Sequence, residues 1–184
     1  MSPSAEDLPV LESLPLRPLD VPEGGAARID VRVPVADLVL GGQSYTCVPP
    51  APAMRVDASR AIGGGWYFRL RGACDLHGPC WRCLSDATVP LVLDAAEIDD
   101  PGSDDPQMRS LYLRNAVLHV AEWARDAAAE AIPPTILCRE DCAGLCPQCG
   151  TDLNAGACAC GPPPPDNRWA GLAELAERLR AQEE

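Results

Sequence analysis

The chain has no lysine: all 15 of its cationic residues are arginine. It has one phenylalanine, an aromatic fraction of 4% and two histidines, His77 and His119, far apart in sequence. The triple glycine at 63–65 is not followed by Lys-Ser or Lys-Thr, which excludes a phosphate-cradling loop of the nucleotide-binding type. Two isolated histidines give no support for acid–base catalysis, so no enzymatic activity is expected. With aromatic bulk scarce, a core must be filled by Val, Leu, Ile and Ala. No apolar run approaches the roughly 18–20 residues of a spanning helix, and the first residues lack a basic start and an apolar segment. A soluble, cytoplasmic protein without membrane contact or small-molecule substrate is expected. At 184 residues the chain has room for one ordinary domain or two small ones, and none for a large α/β barrel.

What is present in excess is acid and sulfur. Asp and Glu number 27, giving a formal net charge of −12, and there are ten cysteines. In a reducing compartment structural disulfides are rare, so the thiols are expected to be metal ligands, redox groups or buried apolar fillers. The negative charge disfavours binding driven by a nucleic-acid backbone and suits a basic protein partner.

Residues 1–24 read as a tail or an edge strand, with Leu14, Leu16 and Leu19 as its apolar positions. From Arg28 to Leu40 apolar residues alternate at Ile29, Val31, Val33 and Val35, the period of a half-buried strand, and Pro34 places it at an edge. Trp66–Leu76 and Thr88–Asp94 alternate likewise. Residues 97–105 read as an acidic solvated linker, and 110–120 is undecided between strand and helix. Residues 120–131 form an Ala-rich helix stopped by Pro133 and Pro134. The expected class is α+β: a small antiparallel sheet and helix over 25–134, a zinc-stapled cysteine-rich loop over 135–161, then a proline spacer and amphipathic C-terminal helix over 162–184.

Cys146-Pro-Gln-Cys149-Gly150 has the spacing of a zinc knuckle, and Cys158 with Cys160 supplies a second pair. Four thiolates satisfy a tetrahedral ion whose binding folds a loop with little core of its own. Cys80 and Cys83 form another C-x2-C, and Cys138 with Cys142 a further pair. Two partitions stand open. Either Cys80 and Cys83 join Cys138 and Cys142 in a second zinc site, or one ion takes four of the six clustered thiols and leaves Cys80 and Cys83 free. One or two zinc ions per chain are therefore expected. Cys47 and Cys74 have no close partners in sequence and read as small buried hydrophobes.

Rival uses of the thiols are weaker. The C-x3-C-x2-C spacing of Cys142, Cys146 and Cys149 suits a radical iron–sulfur site, but only 35 residues follow. A redox reading of Cys80 and Cys83 needs a strand feeding a helix, whereas the flanking residues predict a hairpin. Spacing alone leaves an iron–sulfur cluster open as the occupant. His77 reads as a solvent-facing turn residue before it reads as a ligand, and Arg69, Arg71 and Arg82 as solvated arginines before they read as a binding face.

The runs PCWRCL (79–84), AIPP (131–134), LCREDCAGLCPQCGTDLN (137–154), CAC (158–160) and DNRWAGL (166–172) resemble the bacterial YceD family, the large ribosomal RNA subunit accumulation proteins, from about residue 15 to 180. Cys80, Arg82 and Cys83 match the family's C-x-R-C element; Asn167 stands where proline is usual. The resemblance implies a part in the synthesis, processing or accumulation of 23S ribosomal RNA. It points to a non-catalytic adaptor that meets ribosomal RNA or a pre-ribosomal particle, directly or through a basic ribosomal protein, with Arg82, Arg168 and Trp169 as contact residues. The alternative is a thiol-redox or metal-dependent RNA-processing enzyme.

Overall fold

The structure is a computed structural model that describes residues 5–161 together with Leu172 and Arg180. It divides into two compact units, residues 1–142 and 143–184.

The first unit is built on antiparallel strands. In chain order these are β1 (Leu14–Pro15), β2 (Ala26–Arg32), β3 (Leu38–Leu40), β4 (Gln43–Val48), β5 (Ala53–Arg60), β6 (Trp66–Pro79), β7 (Asp86–Asp99), β8 (Leu113–Arg114) and β9 (Val117–Leu118). One helix, α1 (Val120–Glu130), follows. β6 is the spine of a six-stranded sheet. It pairs along its whole length with β7, and on its other edge with β5 over its first half and β4 over its second. β2 lies outside β5, and β3 outside β4. The prolines at 49, 50 and 52 interrupt the lane between β4 and β5, since they can donate nothing to a ladder, and the Val48–Pro49 peptide is cis. β1, β9 and β8 make a separate three-stranded sheet.

Alternation fixes the core. Phe68, Leu70, Cys74 and Leu76 of β6 are buried with Met54, Val56 and Ala58 of β5, Tyr45 and Cys47 of β4, and Ala87, Leu91 and Leu93 of β7. α1 lies against β7 and buries Val120, Trp123, Ala124, Ala127 and Ala128; its Trp123 stacks with Tyr112. Small alanines let the helix approach closely where aromatic bulk is lacking.

The antiparallel sheet and the helix are as expected, but the balance is more heavily β than an α+β reading implies. The run expected as one strand over 28–40 breaks at Pro34 into an edge strand, β2, and a short hairpin strand, β3. β4 and β5 add two strands where none is expected. β7 continues to Asp99, into the stretch read as linker, because Asp99 is buried and accepts from Arg109 Nε at 2.9 Å. The undecided segment 110–120 holds the tight β8–β9 hairpin, whose central Asn115 and Ala116 both have positive φ. The proline spacer and most of the C-terminal helix, including Arg168 and Trp169, lie outside the described residues. No helix among the described residues is long and apolar enough to cross a membrane.

The exposed face of the sheet carries an arginine–aspartate lattice. Arg55 pairs with Asp30, Arg69 with Asp94, and Asp57 accepts from both Arg28 and Arg71. Arg69 and Arg71 are thus partnered by aspartates, and Arg82 lies elsewhere. The hydrogen bond from Arg28 holds the Asp57 carboxyl below its usual range, against the opposing effect of burial, and Arg71 adds to it. A depressed folded-state value contributes stability above the unfolded value of about 3.9, lost as pH falls through the folded value. Asp57→Asn should therefore cost about 0.5–1 kcal/mol at neutral pH. The gap between variant and wild type should close as pH falls through the depressed folded-state value, as urea titrations across pH would measure.

Candidate metal centres

The turn from β6 to β7 is the Cys80-Trp-Arg-Cys83 motif itself. Leu84 N–H donates to the Cys80 carbonyl at 3.0 Å, and Cys80 N–H to the Ser85 carbonyl at 2.7 Å. In the second unit Cys146-Pro-Gln-Cys149 repeats the pattern. Gly150 N–H donates to the Cys146 carbonyl at 2.8 Å, and Cys146 N–H to the Thr151 carbonyl at 2.9 Å. Leu84 and Gly150 occupy equivalent positions with φ of 61° and 73°. Two residues beyond the second cysteine of each motif stands a hydroxyl, Ser85 Oγ 2.8 Å from Cys83 Sγ and Thr151 Oγ1 3.2 Å from Cys149 Sγ. The chain thus builds the same sulfur-presenting knuckle twice, on CWRCLS and CPQCGT.

Each knuckle is completed by a second pair. The sulfurs of Cys80, Cys83, Cys138 and Cys142 all lie within 4.8 Å of one another, and so do those of Cys146, Cys149, Cys158 and Cys160. Of the two partitions open from the sequence, the structure assembles the one that joins Cys80 and Cys83 to Cys138 and Cys142. A tetrahedral ion with thiolate arms of about 2.3 Å has sulfur–sulfur edges of about 3.8 Å. Cys80–Cys142 measures 3.8 Å, Cys83–Cys138 3.6 Å and Cys146–Cys158 3.5 Å. A soft, tetrahedral, all-sulfur donor set fits zinc or an iron–sulfur centre and is foreign to Mg²⁺ or Ca²⁺.

The surrounding chain prepares thiolates. Burial pushes the Cys80 thiol up, but donors from the Cys83, Arg82 and Cys138 backbone outweigh it and bring the thiol down to about 6. The Thr151 hydroxyl and N–H, with Cys160 and Cys146, likewise lower Cys149 to about 6. Cys83 is lowered first by the Ser85 hydroxyl, and Cys146 by the backbone N–H groups of Cys149 and Gln148. At Cys138, burial and the thiols of Cys83, Cys142 and Cys80 outweigh the Ser85 hydroxyl and raise it to about 11. Cys160 is raised to about 11, first by Cys149. A dication among the sulfurs favours the full set of thiolates.

The first centre is tied to its unit on several sides. Trp81 N–H donates to the Ile136 carbonyl at 2.9 Å, and Arg82 Nη1 to the Cys142 carbonyl at 2.9 Å. The exposed Arg82 therefore braces one cysteine pair against the other, a physical reason for arginine inside the C-x-R-C element. Tyr45, buried on β4, donates its hydroxyl to the Pro79 carbonyl and accepts from Trp81 Nε1, both at 2.8 Å. Gly78 lies under the Tyr45 ring. Nothing in the cysteine spacing points to Tyr45 or Gly78. Ser85 and Thr151 were legible in principle, as the repeated Cys-x2-Cys-x-Ser/Thr pattern.

His77 is exposed on β6, not in a turn, and belongs to neither tetrad. Cys47 and Cys74 are buried as expected, yet they are not without partners. The β4–β6 register sets Cys47 opposite Leu76, two residues along from Cys74 and on the same face, and brings the two sulfurs to 3.1 Å. The hydrogen bond with Cys74, then burial, pushes the Cys47 thiol up.

The family model described as large ribosomal RNA subunit accumulation protein YceD matches residues 68–176, which contain both centres. Uncharacterized proteins of Mycobacterium bovis and of two strains of Mycobacterium tuberculosis are each 31% identical over 103 residues, covering 53% of this chain and 49% of theirs. The chain thus spans about half the length of these curated relatives. No solved structure matches.

Proposed function

The chain belongs to the YceD family of large ribosomal RNA subunit accumulation proteins, and we propose that it serves there as a cytoplasmic, non-catalytic, zinc-stabilised adaptor. It promotes accumulation of the large-subunit RNA by meeting the RNA or a pre-ribosomal particle, directly or through a basic ribosomal protein. The observation that carries this reading is the pair of tetrahedrally spaced sulfur sets, each closed by protein ligands. Four thiolates saturate a zinc ion and leave no position for substrate or activated water, which is the arrangement of a structural site. Cys80 is fully buried, so its lowered thiol is out of a substrate's reach. A thiol-redox reading keeps one point in its favour, the exposed Cys149 with its lowered thiol, but the close approach of Cys158 to Cys146 within the same cluster suits an ion better than a single disulfide. Two zinc tetrathiolates, each of charge −2, would deepen the formal charge from −12 to about −16, which suits a cationic partner.

Depleting the protein and resolving ribosomes on gradients should reduce free and assembled large subunits relative to small ones. Wild-type chain should restore them, and a Cys146→Ser/Cys149→Ser chain should not. Normal large-subunit levels after depletion would remove the reading.

A further inference from the structure

Beside the first centre lies an open groove of about 780 Å³, lined chiefly by Val39, Leu40, Tyr45, Trp81, Leu84 and Ile132. Its walls are the β3–β4 hairpin, the knuckle and the carboxyl end of α1. Three large apolar side chains stand in solvent along it: Val39 is 69% exposed, Leu84 58% and Trp81 46%. Leu84 is the telling one. It takes the left-handed position that Gly150 fills in the other knuckle, a conformation unfavourable for a branched, bulky residue. The left-handed turn itself belongs to the knuckle, as Gly150 shows, but a leucine in place of glycine there adds strain and puts an apolar side chain into water, which helps neither folding nor metal binding. Strain of this kind persists where the displayed group has work to do.

We propose that this groove is the docking site for a cationic peptide segment of a protein partner that inserts a bulky apolar anchor between Trp81, Leu84 and Val39. Charge selects the occupant. The groove is lined by Trp81 and Leu84 of the knuckle, whose centre would carry −2 with zinc bound, and by Ala129 in the last turn of α1, the negative end of the helix dipole. Asp37, Asp86 and Glu130, one or two residues in sequence from the lining positions Val39, Leu84 and Ala129, are exposed, and the side chain of the nearby cation, Arg82, is turned to the Cys142 carbonyl although it keeps its charge. A mostly apolar lining on a chain of net charge −12, with acids close by in sequence, matches lysine- or arginine-flanked leucine or phenylalanine. The proposal rests on the adaptor reading and gives that adaptor its contact surface.

The test uses the full-length, zinc-replete chain and a fluorescent synthetic peptide with a Leu-Phe pair flanked by lysines. Two control peptides carry glutamates for the lysines or serines for the Leu-Phe pair. Wild type should bind the lysine peptide at least tenfold more tightly than either control, and binding should weaken as salt rises. Leu84→Gly removes the displayed side chain and suits the local φ, so it should retain zinc content and melting temperature while weakening peptide binding about tenfold. Val39→Arg should do the same by adding a positive charge, and Val39→Glu should weaken binding less. Equal affinity for the three peptides, or unchanged binding by Leu84→Gly, overturns the site. So does a dimer of the chain that Val39→Arg disperses, which would give the groove to a second copy, or binding of poly-uridylate lost in the same variants. Zinc content is measured in every sample, so a replete protein that binds no peptide refutes the groove alone and leaves the adaptor reading to its depletion test.

Discussion

Stripping the metal should unfold residues 143–161 while the sheet of the first unit persists. Cys146 is the only buried apolar residue described in that stretch, so almost no hydrophobic burial holds it. Its local order is a handful of hydrogen bonds, among them those of the knuckle, Leu153 N–H to the Gly144 carbonyl, one bridge between Leu145 and Asp152, and an Asn154 side chain that accepts from Ala143 N–H. A structural zinc contributes an apparent free energy of about 10–16 kcal/mol at neutral pH, far more than such a network supplies. Hydrogen exchange should therefore show the amides of Cys146, Gly150 and Leu153 losing protection in chelator or in Cys146→Ser/Cys149→Ser. The amides of β6 should remain protected.

Metal analysis should give about two ions per wild-type chain, and about one after either Cys146→Ser/Cys149→Ser or Cys80→Ser/Cys83→Ser. Cys47→Ala/Cys74→Ala should leave the count unchanged, since those two sulfurs belong to neither tetrad. Unaltered exchange in chelator, or a count indifferent to the tetrad cysteines, would defeat the metal assignment.

The parts legible in sequence were those whose signal is local. The alternation of Phe68, Leu70, Cys74 and Leu76 marks β6 directly, and the alanine run ended by Pro133 marks α1. The knuckle at Cys146 is complete within five residues. β5 escaped because Arg55 and Asp57 interrupt only three apolar positions, and its place in the sheet rests on ladders with β2 and β6 that no local window contains. The β8–β9 hairpin escaped because Ala116 sits where glycine would announce the turn. The first tetrad could be posed from spacing but not chosen, because 54 residues separate its halves and they meet only through tertiary contacts of the β6–β7 turn with the segment after α1. The groove depends on three separate segments and has no linear signature.

Gly78→Ala should be among the most damaging single substitutions outside the cysteines. A methyl group there would stand 2.2 Å from Tyr45 Cδ1 and 2.6 Å from Cε1, well inside van der Waals contact. The Tyr45 ring is held in place even though it borders the groove. It is 1% exposed, and its hydroxyl is held by the Pro79 carbonyl and Trp81 Nε1. Moving it breaks two hydrogen bonds worth about 1 kcal/mol each and adds overpacking of about 1–3 kcal/mol, so a loss of about 3–5 kcal/mol is expected in urea unfolding. Because Trp81 is one of the bonded partners, the damage reaches the first centre, and zinc affinity at Cys80 and Cys83 should fall while the second centre is untouched. Gly72→Ala is the control within the same strand. Its added methyl meets Met54 Cγ at 2.8 Å and the Ala53 carbonyl oxygen at 3.3 Å; Met54 is buried but unbranched and not hydrogen-bonded through its side chain, so the cost should be about 1–3 kcal/mol, below that of Gly78→Ala. In a Tyr45→Ala background the penalty of Gly78→Ala should largely vanish, since the clash has lost its second party. If Gly78→Ala instead unfolds within about 1 kcal/mol of wild type, Tyr45 is free to move and does not position the knuckle.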